Sequence, residues 1–210
     1  MKKLLNTVLL LTGLFLATAQ AAEFTQGKDY IRLPTAQPTT TPDRIEVVEL
    51  FWYGCPHCYR LEPHIEEWLE TKPDDVAFVR MPAILSPRWE LLARAWYTAD
   101  LLGVTEQIHK PLFNAIHGER QRITSVNQLR DFFVEQGISG EDFDSTFHSF
   151  GVAAKINRAR EMTRRYQVRG VPTLVINGKY RTSASEAGSH AAMIEVANHL
   201  IEQERQAAGD

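Results

Sequence analysis

Hydrophobic and polar positions change period along the chain, and the changes mark the elements. Arg44 to Tyr53 reads Arg-Ile-Glu-Val-Val-Glu-Leu-Phe-Trp-Tyr, a β-branched and aromatic run of the kind that forms a strand. From Pro56 to about Glu70 the apolar residues Leu61, Ile65, Trp68 and Leu69 recur at helical spacing. Pro56 suits the first helical position, where its missing N–H would have no partner in any case, whereas Pro63 inside the run predicts a kink. Val76 to Met81 predicts a second strand after the turn Lys72-Pro73-Asp74-Asp75. Pro87 to Tyr166 carries no strand signal. It predicts helices around 88–102, 104–117, 125–136, 141–148 and 152–167, with Ser125-Val126-Asn127-Gln128 as a capping box. Strand character returns at Thr173 to Ile176, Asn177-Gly178 is a hairpin turn, and Lys179 to Thr182 forms the return strand. A final amphipathic helix runs from about Ser189 to Gln206, its apolar side built from residues such as Met193, Val196 and Leu200. Residues 22–43 are polar, contain Pro34, Pro38 and Pro42, and predict an extended lead-in arm. The order is strand, helix, strand, helical block, hairpin, helix, with no internal repeat. Because β elements flank the block of roughly 80 residues, it reads as an insertion and not as a second independent unit.

The N-terminus changes the picture of where the chain works. Met1-Lys2-Lys3 is positive, Leu4 to Leu16 is largely apolar, and Ala17/Ala19 and Ala19/Ala21 offer small-residue cleavage sites. Those three parts in that order predict a secretory signal peptide over residues 1–21. The apolar run of about 13 residues is short of the roughly 20 that span a bilayer. Without Lys2 and Lys3 the mature chain has 21 basic against 26 acidic groups, a formal charge of −5. That balance offers no basic footprint for nucleic acid, and an exported chain of this kind is placed in a bacterial periplasm, where thiols can be oxidised.

Composition, at 44% hydrophobic and 23% charged in 210 residues, is that of an ordinary globular chain. The informative count is two cysteines, Cys55 and Cys58, separated only by Pro56 and His57. A bridge closing so small a loop removes little unfolded-state entropy, so the pair is there for chemistry and not as a scaffold. A C-x-x-C that ends a strand and opens a helix signals thiol–disulfide exchange. With Pro56 at the first helical position, Cys55 is the N-cap, and its sulfur can accept from the free N–H groups of His57 and Cys58. The helix dipole also favours a thiolate there. Cys55 is therefore the expected nucleophile with a lowered pKa, and Cys58 the buried resolving thiol. The His57 imidazole adds a donor, or a charge when protonated, beside Cys55. A better-stabilised thiolate means a more stable reduced form and hence a stronger oxidant. A structural zinc site would want about four Cys or His ligands; His57 and His64 are the only nearby additions, so no metal is assigned. Covalent haem attachment would need His where Tyr59 stands, and a static local disulfide is the remaining alternative.

Phe51-Trp52-Tyr53-Gly54-Cys55-Pro56-His57-Cys58-Tyr59, the helical insert, and Arg169-Gly170-Val171-Pro172-Thr173 together resemble the DsbA family of periplasmic thiol:disulfide oxidoreductases. The likeness runs from about Glu23 to the C-terminal helix. It implies an α/β thioredoxin fold with a large helical insertion between the βαβ and ββα parts. Residues 22–85 and 168–210 would form the thioredoxin-like domain and 86–167 the insertion. It also implies a cis Val171–Pro172 bond lying against the active-site disulfide, with Val171, Pro172 and Thr173 contacting substrate. Glu49 matches the family's buried acid that relays protons for Cys58. Independently, a carboxyl within Val-Val-Glu-Leu-Phe is costly to bury charged, so its pKa should rise; the alternative is a carboxylate at the sheet rim. Glu62, one turn down the helix, matches another family acid but reads equally as a solvated helix charge. Thr173 departs from the small apolar residue some members carry there, which leaves the polarity of the substrate groove open.

The expected activity is dithiol oxidation: the Cys55–Cys58 disulfide passes to exported proteins with free cysteines, and a DsbB-like membrane quinone reductase restores it. No cofactor is needed, and the protein is expected to act as a monomer. An isomerase or reductase on the same fold is the runner-up. Periplasmic isomerases of this superfamily use a separate N-terminal dimerisation domain, for which the 22 or so residues before the first strong strand leave no room. A metal-binding or chaperone-like module using both thiols as ligands is the alternative from another class.

Overall fold

The computed structural model describes residues 24–209; the expected signal peptide at 1–21 lies outside them. The apolar run at 44–53 becomes strand β2 (Ile45–Phe51), buried from Glu46 onward. It is an inner strand, between β4 and β3, of a five-stranded sheet of order β1-β5-β4-β2-β3. β3 (Val76–Pro82) runs parallel to β2, which requires a crossover, and helix α1 (Pro56–Thr71) supplies it. β4 (Thr173–Ile176) lies antiparallel on the other side of β2, and β5 (Tyr180–Ser183) follows across the Asn177-Gly178 turn.

Side chains alternate faces along a strand, and β2 uses both. Val47 packs with Leu61, Ile65 and Trp68 of α1 and with Met193, Val196 and Leu200 of the C-terminal helix α8 (His190–Gly209). Val48 and Leu50 face the helical block. That block contains a 3-10 turn at Pro87–Trp89, then α2 (Glu90–Leu102), α3 (Thr105–His117), α4 (Val126–Glu135), α5 (Gly140–Phe147) and α6 (Phe150–Arg165). Its residues Trp96, Phe113, Phe133 and Ile156 form one continuous cluster with Val48, Leu50 and Val175 of the sheet. The helices therefore close the second face of the sheet. A strand covered on both faces explains why its apolar run is nearly unbroken.

Local signals act as the sequence predicts at most ends. Ser125 and Gln128 make the reciprocal capping box of α4, and Gly103, with φ 71°, ends α2 in the left-handed conformation. Pro63 lies inside α1, which continues as one helix to Thr71; the burial of Leu61, Ile65 and Trp68 on the sheet offsets the single backbone bond that Pro63 removes. Two features differ. The lead-in arm adds a short strand, β1 (Ile31–Arg32), antiparallel to β5, anchored by buried Tyr30 and Leu33. A one-turn helix, α7 (Ala184–Ala187), follows β5. Among the described residues, no helix is long and apolar enough to cross a membrane.

Candidate active site

β2 stops at Phe51, and the chain turns through Trp52, Tyr53 and Gly54, closed by the Cys55 N–H donating to the Trp52 carbonyl at 2.9 Å. Gly54 is required because a Cβ there would collide with the Trp52 indole. That indole stacks on Trp89 at 4.5 Å between ring centroids. The turn delivers Cys55 to the N-cap of α1 with extended backbone angles (φ −95°, ψ 115°) and Pro56 to its first turn. Both cysteines are free thiols; Cys55 is 8% exposed and Cys58 0%.

The cap differs from expectation. No backbone N–H closes an aligned hydrogen bond on the Cys55 side chain. Its S–H donates instead to the Val171 carbonyl at 3.3 Å, because a protonated sulfur is a donor and finds an acceptor across the groove. Once ionised, the sulfur can only accept. Its partners are then the Cys58 S–H, which lowers the Cys55 pKa most, and the Cys58 and His57 N–H groups, with the His57 charge the smallest influence. Together they outweigh burial and bring Cys55 down to about 6. Cys58 goes the other way: burial pushes its thiol well above the ordinary range, followed by its hydrogen bond to Cys55 and the charges of Cys55 and Glu49. The His57 Nδ1 accepts from the Arg60 guanidinium at 3.0 Å.

The Val171–Pro172 bond is cis. It lines a groove of about 570 Å³ with His57, Arg169, Thr173 and Arg181 among the other walls. Thr173 is buried, and its hydroxyl donates to the Gly170 carbonyl at 2.8 Å. The hydroxyl that stands where some members carry a small apolar residue is thus satisfied internally and adds no free polar group to the groove.

Glu49 and Glu62 converge. Glu49 is 0% exposed, on an inner strand and not at the rim, and Glu62 is 6% exposed. The parallel register sets Glu49 opposite Arg80 of β3. Arg80 Nε donates to Glu49 Oε2 at 3.2 Å and Nη2 to Glu62 Oε2 at 2.9 Å. Burial raises the Glu49 carboxyl to about 8, helped by the Glu62 charge and opposed by Arg80. Glu62 falls below its ordinary value: burial would raise it, but His109 and Arg80 together prevail. Sequence reasoning did not anticipate Arg80, His109 or Tyr53 in this cluster. An arginine inside the apolar strand Val-Ala-Phe-Val-Arg-Met-Pro was the available signal, but its partner depends on strand register. Among the described residues, no group of three or more His, Cys, Asp or Glu is arranged to hold a metal ion.

A C-x-x-C at the strand-to-helix turn of this sheet, with one thiol lowered and the other buried, defines a thiol:disulfide oxidoreductase of the thioredoxin type. Residues 46–195 match the DSBA-like thioredoxin domain family, and the chain belongs to that family. It is 43% identical over 206 residues to the thiol:disulfide interchange protein DsbA of Pseudomonas syringae, covering 98% of this chain and 96% of that protein. It is 38% identical over 211 residues to the DsbA of Azotobacter vinelandii, covering 98% and 99% of the two chains. The crystal structure of Pseudomonas aeruginosa DsbA superposes with a TM-score of 0.85 at 42% identity, covering 89% of this chain and 97% of that one.

Proposed function

We propose that this protein is a periplasmic dithiol oxidase that donates the Cys55–Cys58 disulfide to exported proteins. A substrate thiolate attacks Cys55 Sγ, forming a mixed disulfide while the Cys55–Cys58 bond breaks and Cys58 leaves with the electron pair. Glu49, held neutral by its burial, gives Cys58 a proton. A second substrate thiolate then attacks the substrate sulfur of the mixed disulfide. Cys55 departs as the stabilised thiolate, the substrate gains a disulfide, and the cysteine pair holds its two electrons. Pro56 and His57 shape the cap, and Val171, Pro172 and Thr173 form the wall against which an extended substrate segment lies. Residues 22–85 and 168–210 act as one thioredoxin-like domain with 86–167 inserted, and residues 1–21 direct export. A DsbB-like membrane quinone reductase restores the disulfide.

The opposed pKa values of the two cysteines carry this reading: a pair that prefers its reduced state gives its disulfide away. Redox equilibrium with glutathione tests it. The pair should be more oxidising than the roughly −180 mV of protein disulfide isomerase, whereas a value near the roughly −270 mV of thioredoxin would make it a reductase.

A further inference from the structure

Glu49 and Glu62 share one guanidinium, that of Arg80. One buried positive charge does not offset the desolvation of two buried carboxylates, so one of them carries a proton near neutral pH. Arg80 does not decide which, since it bonds an oxygen of each. The asymmetry comes from the helical insert. His109 on α3, 6% exposed, places Nε2 at 3.2 Å from Glu62 Oε1. That pair is a close polar contact and not an aligned hydrogen bond, and Glu49 Oε1 has no hydrogen-bond partner either; the difference is that the Glu62 oxygen has an imidazole nitrogen against it.

Its two polar neighbours together fix the tautomer. Nε2 faces the Glu62 carboxylate, which can only accept, so a neutral imidazole carries its hydrogen on Nε2. Nδ1, 3.0 Å from the Tyr53 hydroxyl, is then the acceptor, and Tyr53, whose pKa burial pushes well above its ordinary value, keeps the hydrogen it donates. Burial lowers the His109 pKa, the pull of Glu62 notwithstanding, so the ring acts uncharged. Phe51, Trp96 and Phe113 pack edge-on around it at centroid distances of 5.4, 5.1 and 5.1 Å. The ionisable groups that face it are Tyr53 from the turn after β2, Glu62 from α1, Arg80 from β3 and Glu106 from its own helix.

We propose that His109 is a positioning residue for disulfide exchange: by engaging Glu62 it keeps that carboxylate ionised and thereby assigns the exchangeable proton to Glu49, whose charge acts on Cys58. His109 neither gains nor loses a proton in the cycle. The inference rests on the reading of Glu49 as the proton partner of Cys58.

The test is a carbon-detected NMR titration of the glutamate carboxyls in the reduced full-length mature protein. In the unsubstituted protein Glu49 should titrate near 8 and Glu62 below its ordinary value. His109→Asn keeps a polar atom for Tyr53 but cannot reach Glu62. It should lower the Glu49 midpoint and raise that of Glu62, each by about one pH unit, the lower end of what a close charged or hydrogen-bonded partner does. His109→Gln restores an N–H where Nε2 stood and should return both midpoints. A general loosening of the core would not move the two in opposite directions. Unchanged midpoints in His109→Asn, or midpoints moving together, would overturn the proposal. The Glu49 reading is checked separately by the pH profile of disulfide reduction in Glu49→Gln: a profile identical to the unsubstituted protein removes that role whatever His109 does.

Discussion

Cys55 and Cys58 are the same residue type, one helical turn apart, in opposite electrostatic settings. Cys55 stands at the open end of α1, where its S–H donates to the Val171 carbonyl and its thiolate has the Cys58 S–H and the Cys58 and His57 N–H groups as donors. Cys58 is fully buried, and the charges of Cys55 and Glu49 further disfavour its own. One pKa falls to about 6 and the other climbs well above the ordinary thiol range. The reactivity gradient thus comes from depth, from the motif's own second thiol and from the N–H groups that the helix end presents. Each cysteine also helps set the other, since the Cys58 S–H is the largest cause of the Cys55 shift.

The largest effect expected from breaking this contrast is in Cys58→Ala. Turnover stops because no Cys55–Cys58 disulfide can form to be donated. With its main donor gone, the alkylation inflection of Cys55 should also climb from about 6 toward the unperturbed value of roughly 8.5. Cys58→Ser, which keeps an O–H donor, should hold the inflection low while still abolishing turnover. His57→Ala comes next and should raise the inflection less than Cys58→Ala does, because the His57 charge is the smallest of the named influences; the reverse ranking would reassign the thiolate's stabilisation to the imidazole.

Glu49 gives a stability effect of opposite pH sign to that of Cys55. Its folded pKa lies above the unfolded value of about 4.3, so its contribution is present in acid and is lost as pH rises from about 4.3 toward 8. Glu49→Gln should therefore gain stability relative to the unsubstituted protein across that window, measured by urea denaturation at several pH values. The depressed Cys55 contributes above its unfolded value of roughly 8.5, and that contribution fades as pH falls through 6. The advantage of the reduced over the oxidised protein should accordingly grow from pH 6 to pH 8.5. The smallest effect is in Thr173→Val, which removes the hydroxyl bonded to Gly170. It should cost about 1 kcal/mol of stability, read from urea midpoints, and leave the redox equilibrium unchanged.

Two glutamates of β2 show how far the sequence could be read. Glu46 and Glu49 both interrupt the same apolar run, and both are buried. Glu46 accepts from the Thr40 N–H at 2.7 Å and from the Thr40 and Thr41 hydroxyls, tying down the lead-in arm. Glu49 has only Arg80 and an unpartnered oxygen. Local pattern distinguishes neither, because the partners come from a loop and from a neighbouring strand. Residues whose role follows from local geometry were legible: Cys55 at the cap, Pro56 in the first turn, Cys58 one turn in, the capping box at Ser125 and the Asn177-Gly178 hairpin. Those defined by register or by docking of the insert were not. Arg80 meets Glu49 only because β2 and β3 pair in one register, and His109 reaches Glu62 only because α3 packs beside α1. The short strand β1 escaped notice for the same reason, since pairing with β5 and not its own composition makes it a strand.

The measurement closest to the central claim, that folding favours the reduced pair through the Cys55 thiolate, is a pair of denaturation curves at pH 7. The reduced protein should unfold at higher denaturant than the oxidised one, because only the reduced form contains the thiolate that the helix end and Cys58 stabilise. An oxidised form that is the more stable of the two would contradict that claim and the direction of exchange drawn from it.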